Sequence, residues 1–135
     1  MEHITAKAGH QISVSVENEP GTLADLTCLL GKHEINIYAL TLTGGIDHGY
    51  VRMVVDAHEK AMAGLHDAGY LVFERDVVLV EIPNEPGSLG KVTQAWAEAG
   101  INLEYAYCAG GPSVKHGLIV MRVDNTEKAL DLLQA

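Results

Sequence analysis

The chain has 135 residues, 47% of them apolar and 20% charged, which is ample for a buried core and argues against disorder. Nine Lys and Arg against eighteen Asp and Glu give a net charge of −9; that balance repels phosphate backbones and anionic lipid and leaves small molecules or proteins as partners. No apolar leader opens the chain, no stretch is long enough to span a membrane, and Cys28 and Cys108 have no neighbouring cysteine, so a cytoplasmic protein without nucleic-acid or membrane partners is expected.

In chain order, Gln11 to Glu17 alternates Ile12, Val14 and Val16 with Ser13, Ser15 and Glu17, a strand with one buried face. The loop Asn18-Glu19-Pro20-Gly21 follows. From about Pro20 to Lys32, Leu23, Leu26, Thr27 and Leu30 recur at the spacing of one helix face. Ile35 to Leu42 is rich in β-formers and ends at Gly44-Gly45, and Tyr50 to Asp56 alternates again as a third strand. Glu59 to Ala68 is helical with Gly69 as its C′ residue, and Tyr70 to Glu74 is a fourth strand. The order is βαββαβ.

The chain then repeats itself. Asn84-Glu85-Pro86-Gly87 restates the first loop 66 residues on, Val78, Val80 and Ile82 fall on Ile12, Val14 and Val16, and Asn102 falls on Asn36. Leu89, Val92, Thr93 and Trp96 take the helix-face positions, and Gly110-Gly111 that of Gly44-Gly45. After a two-residue loop insertion, His116-Gly117 matches His48-Gly49 and Ile119, Met121 and Val123 form the third strand. A pattern kept over nearly every element means duplication of a folding unit, 1–76 followed by 77–135. The fold class expected is α+β: two ferredoxin-like βαββαβ units in tandem, antiparallel sheets with helices on one face. The second unit ends before a fourth strand. His3 to Lys7, Tyr70 to Glu74 or a strand of a second copy can fill that edge.

The repeated loop is the candidate site. Proline near a helix start donates no N–H, glycine lets another molecule approach the backbone, and the remaining amides point along the positive end of the helix dipole, which suits a carboxylate. The plainer reading of Asn-x-Pro-Gly is a turn with good helix-start chemistry. Asn18 with Asn36, and Asn84 with Asn102, can lie near one ligand, and an amide that donates and accepts suits a zwitterion. Glu19 and Glu85 already fit a helix start through the dipole alone. No nucleophile, base and oxyanion partner are brought together by the pattern. The seven histidines are scattered, and only His48 and His116 recur, each as a turn residue before glycine. No catalytic residue, metal ligand or cofactor is expected.

An apolar strand, Asn-x-Pro-Gly-[Thr/Ser]-Leu, an amphipathic helix and then [Glu/Gly]-Ile-Asn-[Ile/Leu] resembles the ACT domain, the ligand-binding module of amino-acid-regulated enzymes, from about residue 10 to the end and twice in register. The resemblance implies units that pair side by side and bind an amino acid at the interface between units. Carried over by motif, the ligand-binding candidates are Asn18, Glu19, Pro20, Gly21, Thr22, Leu23, Asn36 and Ile37, and Asn84, Glu85, Pro86, Gly87, Ser88, Leu89, Asn102 and Leu103. Serine-binding members carry a histidine two residues before the loop asparagine. Here Val16 and Ile82 stand there, so a branched-chain, aromatic or histidine-like amino acid is favoured over serine. Tyr38, Tyr105 and Tyr107 are candidates for a side-chain wall. The expected function is a non-catalytic sensor of a free amino acid, acting as a homodimer or on a regulated enzyme. The alternatives are an assembly module with degenerate sites, or an acylphosphatase-like enzyme, whose loop arginine is replaced here by Glu19 and Glu85.

Overall fold

The computed structural model describes residues 3–134. In chain order the elements are β1 (Thr5–Glu17), α1 (Thr22–Lys32), β2 (Ile37–Gly44), β3 (His48–Val55), α2 (His58–Asp67), β4 (Leu71–Pro83), α3 (Ser88–Glu98), β5 (Leu103–Ala109), β6 (His116–Val123) and α4 (Thr126–Gln134). They form two compact units. One is His10–Arg75, and the other joins the residues up to Gly9 to those from Asp76 onward.

In the unit of His10–Arg75, β3 lies between β1 and β2 and pairs antiparallel with both; Val14 faces Val51 and Leu42 also faces Val51. Alternation then fixes which side chains share a face: Ile12, Val14 and Val16 with Val51, Met53 and Val55. Leu26 and Leu30 of α1 and Ala61 and Leu65 of α2 bury against that face, so both helices lie on one side of the sheet. In the other unit β6 lies between β4 and β5, both antiparallel to it. Its core places Val78, Val80 and Ile82 with Ile119, Met121 and Val123 under Val92, Trp96, Ala129 and Leu133. Every buried position of the first core thus has its counterpart in the second. Trp96, in the place of Leu30, is 1% exposed, and its indole N–H meets the Ala129 carbonyl at 3.1 Å, so the larger ring is buried without stranding its polar atom.

The open edge of the second repeat is filled by the start of the chain. Thr5 to Gly9 of β1 runs beside β4, Ile4 is buried in the same core as Val78, and Gln134 Nε2 donates to the Ala6 carbonyl at 3.2 Å. The approach at Gly9 is close: a Cβ there would sit 2.5 Å from Leu79 Cδ1. Alternation stops short of Thr5 to Gly9 in the sequence, because that stretch holds no large apolar residue and only Ile4 precedes it. For the same reason β1 is longer than the pattern predicts. β4 is likewise one strand, continuous from the expected fourth strand, Tyr70 to Glu74, into the first strand of the second repeat. Helix α1 begins at Thr22 rather than Pro20, since Gly21 adopts φ 90° and is the N-cap. Gly69, with φ 91°, follows α2 as C′, as its sequence predicts.

Candidate functional site

The two Asn-Glu-Pro-Gly loops have nearly the same conformation. Gly21 and Gly87 hold φ 90° and φ 88°, a left-handed geometry that glycine takes without penalty, and each is followed at once by a helix. No side chain among the described residues caps α1 or α3. The first helical amides to reach a carbonyl one turn back are those of Asp25, on Gly21, and Lys91, on Gly87. Thr22 and Ser88 bond weakly back to Glu19 and Glu85 at 3.4 and 3.3 Å. No acceptor among the described residues takes up the amides of Leu23 and Ala24, or of Leu89 and Gly90. These are the unpaired donors expected at an uncapped helix start.

Each loop roofs a cavity in its own unit. In His10–Arg75 the cavity is about 170 Å³, lined by the loop residues Asn18, Glu19 and Gly21, by Thr22, Leu23 and Ala24 of α1, and by Val16, Leu42, Gly44 and Gly49 of the strands. Its counterpart is about 290 Å³ and is walled by Ile82, Leu89, Cys108, Val114 and Leu118 together with Asn84, Glu85, Gly87 and Gly90. Cys108 occupies the place of Leu42, and the inserted residues lengthen the loop that carries Val114; both changes enlarge the second cavity. Among the described residues, no Lys, Arg or His lines either one. The positive character comes from backbone amides and the helix dipole alone, which suits one carboxylate better than a phosphate dianion. The carboxylates on the linings are those of Glu17 and Glu19 in the first and Glu85 in the second.

The asparagines of the loops also have a structural task. Asn18 Nδ2 donates to the Gly45 carbonyl at 2.7 Å and Asn84 Nδ2 to the Val114 carbonyl at 3.0 Å, so each amide ties the loop to the hairpin after the second strand of its repeat. The backbone repeats the tie, with Asn18 N–H on Asp47 and Asn84 N–H on Lys115. The cavity is what remains between the two loops so joined.

Of the residues named from the motif, Asn18, Glu19, Gly21, Thr22 and Leu23 come together around one cavity, and Asn84, Glu85, Gly87 and Leu89 around the other. Pro20 and Pro86 stand in the loops but not on the cavity lining. Ser88 starts α3 and is 4% exposed, packed inward. Asn36, Ile37, Asn102 and Leu103 are elsewhere. The register places Ile37 opposite Val55 and Gly44 opposite Gly49, so Asn36 is a strand length from Asn18, roughly 25 Å at about 3.3 Å per residue. The expected approach of Asn18 to Asn36 therefore does not occur within a unit, because the first and second strands run parallel on either side of the third and present opposite ends of the sheet. Asn36 and Asn102 instead exchange backbone contacts with Asp56 and Asp124: their N–H groups donate to the carboxylates at 3.0 Å, and their carbonyls accept from the aspartate amides. Tyr38, Tyr105 and Tyr107 line neither cavity. Sequence reasoning missed Leu42, Cys108, Val114 and Leu118 as walls. The register between strands, visible in the sequence only as the shared Gly-Gly and His-Gly positions, is the signal that brings them to the loop.

A family model described as an ACT domain pair matches residues 7–134. Among solved structures, a protein of Bacteroides thetaiotaomicron is 32% identical, covers 96% of this chain and 88% of its own, and superposes with a TM-score of 0.88. The regulatory subunit of aspartate kinase from Thermus thermophilus, in a ligand-free form, is 20% identical over 97% of this chain and 94% of its own, with a TM-score of 0.73. Escherichia coli aspartokinase III, in complex with lysine and aspartate, is 16% identical over 97% of this chain and 31% of its own, with a TM-score of 0.53. A comparison with proteins of curated function found no match. Both the family model and the 32% identity rest on nearly the whole chain, and the chain belongs to the ACT domain family as an ACT domain pair.

Proposed function

We propose that this ACT domain pair is a non-catalytic sensor that binds a free amino acid at its Asn-Glu-Pro-Gly loops and regulates a metabolic enzyme or pathway in the cytoplasm. The observation that carries the reading is an apolar cavity, present in each repeat, that opens beside unpaired amides at a helix start and beside a glutamate. The amides of Leu23 and Ala24, or of Leu89 and Gly90, would take the ligand's carboxylate. Glu19 or Glu85 would face its ammonium group, and the strand walls would take its side chain. Val16 and Ile82 line these cavities where serine-binding members place a histidine, which supports a branched-chain, aromatic or histidine-like side chain. The fold shared with aspartate-kinase regulatory subunits supports a regulatory role. Asn36, Ile37, Asn102 and Leu103 enter this reading only if a homodimer brings them to a ligand held by a second copy of the chain.

An acylphosphatase-like activity is disfavoured by Glu19 and Glu85 in the loops and by the lack of a cationic side chain on either cavity lining. The deciding experiment is a thermal-shift panel of the twenty amino acids. A ligand present at about a hundredfold over its Kd stabilises the folded state by about 2.7 kcal/mol, a clear rise in Tm. If none of the twenty moves Tm at several millimolar, the loops are not amino-acid sites and the repeats serve assembly alone.

A further inference from the structure

A second cluster of ligating side chains lies in the unit His10–Arg75, away from the loop cavity. His58 begins α2, Glu59 follows it in the first turn, and Glu74 reaches the same place from β4. Each offers one ligand atom, and the three atoms lie within 4.8 Å of one another. His58 Nε2 is 2.6 Å from Glu74 Oε1, His10 Nδ1 on β1 is 3.5 Å from that same oxygen, and the two imidazole centroids are 5.3 Å apart. We propose that His58, Glu59 and Glu74, with His10 beside them, form a site for a divalent transition-metal ion of the zinc class.

Two observations point the same way. The three donors come from two elements, α2 and β4, of one compact unit, so their proximity is set by the fold rather than by one flexible segment. An imidazole with two carboxylates is the mixed nitrogen and oxygen set that zinc accepts, whereas calcium and magnesium prefer oxygen alone. His58 Nδ1 is buried and has no hydrogen-bond partner among the described residues. The hydrogen bond to the Glu74 carboxylate sets the tautomer, with the donated proton on Nε2. An ion at Nε2 displaces that hydrogen bond and moves the ring proton to Nδ1. Zinc–ligand distances of about 2.0–2.2 Å require the Nε2 and Oε1 atoms to part to about 3.3 Å, a shift within reach of the half-exposed Glu74 side chain. Metal spacing was not evident in the sequence, since His10, His58 and Glu74 are far apart along the chain.

Chelator-treated, untagged protein titrated with Zn2+ in a calorimeter tests the proposal. The expected result is one ion per chain at micromolar affinity or tighter, a rise in Tm, and a tetrahedral visible spectrum when Co2+ replaces Zn2+. His58→Gln and Glu74→Gln are expected to weaken binding at least about tenfold. Should His58→Gln fail to fold, Glu59→Gln alters only an exposed carboxylate and keeps the test open. Binding that is unchanged by these substitutions, an absence of binding at micromolar Zn2+, or equal binding of Mg2+ each overturns the assignment.

Discussion

Gly21 and Gly87 have open space around them: a Cβ built on either meets nothing within 4 Å. Substitution there is resisted by backbone conformation alone, since an L-residue held at φ near 90° pays roughly 1–2 kcal/mol. Gly31, inside α1, is equally uncrowded, and no positive φ holds it. Gly21→Ala and Gly87→Ala are therefore expected to lower unfolding free energy by about 1–2 kcal/mol each, and Gly31→Ala to raise it by about 0.5–1 kcal/mol. Urea titration of the three variants checks the sign. Equal effects at all three positions would mean that the loop glycines are not conformational requirements. The loop asparagines are a different case. Their place in the motif is plain in the sequence, but an amide that donates to a ligand and one that donates to a hairpin carbonyl look alike until the hairpin is folded against the loop.

At the level of elements, the helices, the strands and the repeat could be read from hydrophobic period because each core position is filled twice by a residue of the same character. Met53 and Met121, and Ala61 and Ala129, are even identical. What period does not carry is register. The pairing of Gly44 with Gly49, and of Ala109 with Leu118, is what brings the end of each hairpin to the helix start, and it also sends Asn36 and Asn102 to the opposite end. The difference between the cavities follows from one pair of wall residues, Leu42 and Cys108, and from the longer loop of the second repeat. Leu42 is 49% exposed, so replacing it costs less than about 1 kcal/mol of stability, while its removal opens the smaller cavity. Leu42→Cys is expected to admit a larger amino-acid side chain to the first repeat, and Cys108→Leu to weaken the second site about tenfold, which is 1.4 kcal/mol. Calorimetry with whichever amino acid shifts Tm measures both. Unchanged affinity in Cys108→Leu would move the side-chain pocket away from this wall.

For the molecule as a whole, the unit that contains the second repeat is not a continuous stretch of chain. It needs Thr5 to Gly9 as its outer strand and Ile4 in its core, where that side chain is 8% exposed. The sequence marks the missing strand but offers three ways to fill it, because Thr5 to Gly9 carries too few apolar residues to be read as a strand by itself. Burying an isoleucine contributes about 1.5–3 kcal/mol, and the strand beside β4 adds its ladder of backbone hydrogen bonds. A domain of ordinary stability has only about 5–15 kcal/mol in total, so losing this segment removes a large share. Deleting the residues through Gly9 is expected to lower the urea midpoint of the whole chain and to leave β4 with an open edge that invites strand pairing between molecules. Ile4→Ala in the intact chain separates the two contributions: the core loses its side chain by about 2–5 kcal/mol while the strand edge stays covered. A deletion that melts like Ile4→Ala and keeps the oligomeric state of the intact chain would assign the role of this segment to the core alone, whereas a deletion that melts earlier and associates further makes the added strand the larger part.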